Sequence, residues 1–190
     1  MPTSERILEA TLEVLSSEGP QRLSLSAVAT AAGVSRPTLY RWFPSKGALL
    51  AAFGLFEQEK FDTGIAVAIA GLDGSERLEA VLRFIVEYQH SSSLARIVAI
   101  EPGHVVQQMT RVLPIMRDRL LEFFPGVDRL TVASVVTRIA LSHALIPDDD
   151  PDLFLAELRS AAGLDDVHIH LTRRHALGRS ASGTIRRKAQ

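Results

Sequence analysis

Three helix starts fall inside residues 23–50, LSLSAVATAAGVSRPTLYRWFPSKGALL, and each follows a serine. Ser24, Ser35 and Ser45 can each accept a hydrogen bond from an orphan backbone N–H of the helix that follows. This spacing leaves room only for short helices joined by tight turns. The first is built from small residues, Ala27, Ala29, Ala31 and Ala32, so another helix can approach it closely. Gly33 can take a positive φ, which ends that helix and permits a sharp turn. Val34 can plug the corner. The second helix starts at Arg36 with Pro37 in its first turn, where a missing N–H costs nothing. Helix, glycine turn and helix make a helix-turn-helix unit.

The second helix carries the chemistry of a DNA reader. Arg36 can donate two hydrogen bonds to a guanine edge, and Pro37 and the Thr38 methyl can meet a thymine methyl. Tyr40, Arg41 and Trp42 offer hydroxyl, guanidinium and indole N–H groups to phosphate oxygens. Leu39 and Phe43 lie four apart and hold the inner face to a core. Lys46 opens the next helix, at the positive end of its dipole, where a cation is normally unfavourable. That placement suits an arriving anion: Lys46 and the N–H groups after Ser45 would clamp a phosphate. The bland alternative is a small three-helix core unit with Arg36 and Arg41 as solvated charges. The agreement of caps, turn glycine and Lys46 favours the reader.

Gly33-Val34-Ser35, Pro37-Thr38-Leu39-Tyr40 and Phe43-Pro44-Ser45-Lys46 together resemble the N-terminal domain of the TetR family of transcriptional regulators. The motif is long and specific, and it covers roughly the first quarter of the chain. The resemblance implies a dimeric one-component regulator, usually a repressor, with an all-helical ligand-binding domain behind the reader. It implies base contacts at Arg36, Pro37 and Thr38, and phosphate contacts at Tyr40, Trp42 and Lys46. Position 26, in some members an arginine that reaches DNA, is Ser26 here. Position 42, often histidine, is Trp42, which still donates one hydrogen bond. Ser24, Ser26, Ser35 and Arg41 complete the expected DNA-facing set.

The remaining chain fits an all-α fold of about nine helices. The 190 residues are 46% hydrophobic, which is enough for a sizeable core. Cysteine is absent, which excludes disulfides, thiol nucleophiles and thiolate metal sites. The first twenty residues are charged and amphipathic rather than a signal sequence, and no apolar run approaches a membrane span. A cytoplasmic protein without a membrane partner is the expectation. The net charge of -1 confines any DNA-binding surface to a local patch.

Taken in order, residues 4–18 read as a helix with Ile7, Leu8, Thr11, Leu12 and Leu15 inward. A long helix runs from Lys46 to about Ala70, tying the reader to the rest. Ser75 would cap a helix over 76–91, and a short one ends near Ile100 before Pro102-Gly103. Residues 104–124 are helical, with Pro114 expected to kink or restart the helix. Residues 128–145 are apolar on more than one face, which predicts burial on two sides. A last helix covers 152–162. From Leu171 onward there are six basic residues and no acid. This tail is either a flexible solubilising end or a nonspecific DNA contact that raises salt dependence. The expected units are a helix-turn-helix domain over 1–47, a ligand-binding and dimerisation domain over 48–166, and a basic tail over 167–190.

Effector-site candidates are Phe53, Phe56, Phe84, Tyr88, His104, Gln108, Met109, Met116 and Phe123. An interhelical pocket is mostly apolar with a few orienting polar groups, and methionine gives an adaptable lining. For any one of these residues, plain core packing is the competing reading. Dimer candidates are Val132, Val135, Val136 and Ile139, with Leu153 and Leu158 on the last helix. An obligate interface resembles a core cut in half. Glu101-Pro102-Gly103-His104 has the Glu-x-x-His spacing of di-iron bundles. Pro102-Gly103 breaks the helix between them and no second copy exists, so no metal or other cofactor is expected. His168 and His170 are too few to make a site.

The leading function is a homodimeric repressor on a palindromic double-stranded operator, released by a small, largely apolar effector. An enzyme lacks any visible catalytic set, although turnover lost in His104→Ala would revive it. A ligand carrier that has lost DNA binding is the third reading.

Overall fold

The computed structural model describes residues 1–91, 94–147 and 150–164. Among these, nine α-helices and one 3-10 turn make up the regular structure. The reader comprises α1 (Thr3–Glu18), α2 (Leu25–Ala31) and α3 (Arg36–Trp42). The connecting helix is α4 (Lys46–Ala68). Behind it come α5 (Gly74–Ser91), α6 (Leu94–Ile100), α7 (Pro102–Leu120), a 3-10 turn (Leu121–Phe123), α8 (Arg129–Leu145) and α9 (Pro151–Ala162).

Two hydrophobic cores organise these helices, and α4 threads both. The first joins Ile7, Leu8, Val14 and Leu15 of α1 to Val28, Leu39, Phe43 and Leu49. The second gathers Phe61 and Ile65 of α4 with Leu78, Val81, Leu82, Ile85 and Val86 of α5. Phe123, Val136, Phe154 and Leu158 complete it from the other side. Helix α1 also packs on α6, whose Ile97 lies against the first core. Helix α5 packs on α4 and α9, and α8 on α7 and α9. Gly64 lets α4 and α5 close up, since a Cβ there would sit 2.4 Å from Phe84 Cε2.

Three local expectations change. Helix α5 starts at Gly74, and Arg77 N–H bonds the Asp73 carbonyl at 3.3 Å. Ser75 therefore lies inside the helix and is not its cap. Helix α7 runs through Pro114 without a break. Both Pro114 and Thr110, whose carbonyl loses its helical partner, are exposed to water. Helix α8 is not buried on two sides within the subunit: Leu130 and Val135 stay 52% and 42% exposed. The basic tail, with His168 and His170, lies outside the described residues.

Glu79 fastens α5 to α9. Its carboxylate accepts from Arg159 Nε at 2.8 Å and from Arg159 Nη2, and it also pairs with Arg83 at 2.7 Å. The Arg159 hydrogen bonds hold the Glu79 carboxyl below its usual range, against the opposing effect of burial. A carboxyl depressed in the folded state adds stability above its unfolded pKa and loses it as pH falls through the folded value. Glu79→Gln is therefore expected to lower stability by about 1 kcal/mol at neutral pH and by less in acid. Urea melts at several pH values check this. A loss that stays the same down to acid pH would show that the charge is not what stabilises.

Candidate nucleic-acid interface

The caps form as the sequence predicts. Ser24 Oγ accepts from Ala27 N–H at 3.1 Å, Ser35 Oγ from Thr38 N–H at 3.2 Å and Ser45 Oγ from Ala48 N–H at 3.1 Å. Ser35 and Thr38 also share a hydroxyl–hydroxyl bond of 2.8 Å. These oxygens are engaged in building the motif, so Ser24 and Ser35 shape the surface before they can touch anything else. Gly33 takes φ 62°, and Val34 N–H bonds the Ala29 carbonyl at 3.0 Å across the corner.

One support was missed in the sequence. Arg6 of α1 donates from Nη2 to Ala32 O at 2.8 Å and to Gly33 O at 3.4 Å. The guanidinium thereby satisfies carbonyls at the C-terminal end of α2, where a cation also suits the dipole. Its only sequence signal is a basic residue among the acids of the first helix.

Leu39 is fully buried and Phe43 nearly so, which fixes the inner face of α3. The opposite face is bare. Arg36, Pro37 and Arg41 are exposed, and Tyr40 and Trp42 keep 50% and 47% of their surface. An exposed tyrosine and tryptophan beside two arginines, with no acid on the helix, suit a polyanion. Ser26 is half-buried on α2, and its carbonyl accepts from Thr30 Oγ1 at 3.0 Å. Lys46 does not simply extend from its helix. Its Nζ donates to Gln21 O at 2.9 Å, in the turn between α1 and α2.

The effector candidates divide. Phe53 lies against the first core and Phe123 is buried in the second, with Arg77 5.1 Å above its ring. Neither lines the groove on α4 and α5 described next. Phe56 and Phe84 line a groove of about 650 Å³ on α4 and α5, with Lys60, Gly64 and Val67. Phe84 and Tyr88 stand against Phe61 with ring centroids 5.3 and 5.1 Å away. Tyr88 Oη donates to Glu57 Oε2 at 3.4 Å, and burial followed by the Glu57 charge pushes its pKa up to about 12. His104, Gln108, Met109 and Met116 are half-buried along α7. They do not line the Phe56–Phe84 groove.

The dimer candidates divide too. Val136 and Leu158 are fully buried inside the subunit and cannot form a surface. Val132 and Ile139 are half-buried against the second core. Val135 and Leu153 are exposed, at 42% and 48%. The sequence reading missed Ile146, which is 79% exposed and shares a shallow groove with Ile139, Ser142, Glu157 and Ser160. His143, on that groove, stacks on Phe154 with centroids 3.7 Å apart. Pro102 and Gly103 do not break a helix between Glu101 and His104 but open α7, because proline is tolerated in a first turn. Glu101 precedes that helix and turns to the reader, while His104 lies within it. Among the described residues, no group of three or more acids and histidines could hold a metal. None of their helices is long and apolar enough to cross a membrane.

A capped helix-turn-helix with a bare basic-aromatic face on its second helix defines a DNA-binding protein. Residues 7–53 match the family model described as bacterial regulatory proteins, tetR family. The chain is 30% identical over 149 residues to the transcriptional repressor KstR of Rhodococcus jostii, covering 73% of this chain and 69% of that one. A TetR transcription regulator from Haloarcula marismortui shares the fold at TM-score 0.68 and 20% identity, over 85% of this chain and 97% of that one. The SmeT–triclosan complex aligns at TM-score 0.61 and 17% identity, over 85% and 88%. The chain belongs to the TetR family of DNA-binding transcriptional regulators, a family of non-enzymes.

Proposed function

We propose that this regulator is a repressor that binds a palindromic operator as a homodimer and is released by a small, largely apolar effector. The observation that carries the DNA half is the exposed Arg36–Trp42 face, held rigid by three serine caps and the buried Leu39. Arg36, Pro37 and Thr38 at the start of α3 would read bases, because the N-terminal residues of a recognition helix enter the major groove. Tyr40, Arg41, Trp42 and Lys46 would grip phosphates on either side. Two copies would place their readers in successive grooves about 34–36 Å apart, or a multiple of that.

The proposed units are residues 1–47, 48–166 and a tail over 167–190. The dimer face is the outer side of α8 and α9, with Val135, Ile139, Ile146 and Leu153. An exposed apolar stripe of this kind is costly in a monomer. The effector would enter the groove on α4 and α5, with Phe56, Val67 and Phe84 as apolar lining. Tyr88, still protonated at neutral pH, stands beside Phe84 and would offer the effector a hydroxyl. The triclosan complex of SmeT supports an apolar ligand for this fold. Release requires the effector to bind the DNA-incompetent form more tightly than the competent one.

Titration of duplexes from around its own gene, at several salt concentrations, tests the reading. Arg36→Ala is expected to cost about 1–3 kcal/mol on the operator and to relax base preference at one position. Lys46→Ala should weaken all duplexes alike and reduce the salt slope by about 1. Unchanged affinity and preference in Arg36→Ala would show that α3 does not read DNA.

A further inference from the structure

We infer that Glu101 is a positioning residue for DNA binding, acting on Lys46 through the backbone of Gln21, whose N–H and carbonyl belong to the two peptide groups joined at its Cα. Gln21 N–H donates to Glu101 Oε1 at 2.9 Å, and Lys46 Nζ donates to Gln21 O at 2.9 Å. One residue thus has its two backbone polar groups held by opposite charges from distant parts of the chain. Gln21 lies 80 residues from Glu101 and 25 from Lys46.

The contact is built, not incidental. Gly19 takes φ 82° in the same turn and is buried. A Cβ there would lie 2.6 Å from Glu101 Oε1 and 2.9 Å from Ile100 Cγ2. Only glycine both adopts this backbone and leaves room for the carboxylate. The second carboxylate oxygen, Oε2, is buried and has no hydrogen-bond partner among the described residues. A buried polar atom without a partner destabilises. An apolar residue would avoid that cost but would release the Gln21 N–H.

Lys46 has a flexible four-carbon stem and loses much rotamer freedom on gripping an anion. Fixing Nζ on Gln21 O removes part of that loss beforehand, and an ammonium has three donors, so two remain for a phosphate. The anchor is in turn fixed by Glu101. Glu101 stands immediately before α7, the helix that carries His104, Gln108, Met109 and Met116. A shift at the start of α7 therefore moves the support of Lys46 directly.

The inference rests on the proposed phosphate contact of Lys46. Its test is a double-mutant cycle, read as Kd on one duplex over a range of salt. The operator serves, or a random duplex at low salt, because phosphate contacts are sequence-blind. Glu101→Ala is expected to weaken binding about fivefold, the effect of one lost hydrogen bond, and to lower the salt slope. Glu101→Asp keeps the charge but withdraws the oxygen, and should behave the same. Glu101→Gln keeps an acceptor oxygen and should bind like the parent. In a Lys46→Ala background, Glu101→Ala should cost less than about twofold if the effect runs through Lys46. An equal loss in both backgrounds, or no loss in either Glu101→Ala or Glu101→Asp, overturns the inference while leaving the phosphate contact intact. A Lys46→Ala variant that binds every duplex like the parent overturns the contact and the inference together.

Discussion

Val135→Glu is expected to convert the protein to monomers and to cut its affinity for a two-half-site duplex by about 10²–10⁴-fold. That range is the gain when a second binding event becomes intramolecular. Val135 is 42% exposed on α8 and lies outside the second core, so a carboxylate there should not disturb the fold of one subunit. In the proposed homodimer, the same carboxylate would meet its own copy across a two-fold axis in a desolvated interface. Sedimentation equilibrium should show half the parent mass, with unchanged helical circular dichroism. Affinity for a single half-site should stay the same. A Val135→Glu protein that remains dimeric would move the interface off α8, and Ile146→Glu and Leu153→Glu would then locate it.

The choice of Val135 over Val136 shows where the sequence stops being legible. The two neighbours differ by about 100° around the helix axis. One is exposed and the other fully buried. Helix α8 is apolar nearly all round, so periodicity cannot say which stripe faces the subunit's own core. The reader was legible for the opposite reason. Its caps bind an N–H three residues ahead, and Gly33 answers a purely local demand for positive φ. Local bonds leave local signatures. Arg6 on Ala32 and Glu101 on Gln21 span 26 and 80 residues, and nothing beside either residue announces its partner. Asp73 takes the place before α5 that Ser75 was expected to hold, in a turn where Gly71 and Gly74 both have positive φ. The effector candidates, Gln108 apart, are aromatic or sulfur-bearing side chains. Such residues serve cores and pockets alike, and Phe53 and Phe123 went to the cores.

The second large effect is expected at Leu49. This side chain is fully buried in the first core, one turn into α4, where the connecting helix leaves the reader. Truncation to alanine removes buried methyl and methylene groups and leaves a cavity, at a cost of about 2–5 kcal/mol. The reader is short, and a unit of that size buries too little apolar surface to absorb such a loss. Leu49 belongs to the first core alone, while Leu82, equally buried, belongs to the second. Leu49→Ala should therefore raise hydrogen-exchange rates in α1, α2 and α3 while α5, α8 and α9 keep their protection. Leu82→Ala should loosen the second core first. Operator binding should fail in Leu49→Ala at a temperature where the proposed dimer persists, because the reader and the proposed dimer face draw on different cores. Equal loss of protection throughout the chain in both variants would mean that α4, which threads both cores, couples them into one cooperative unit. In that case, a mutation anywhere along α4 would weaken DNA binding through stability alone.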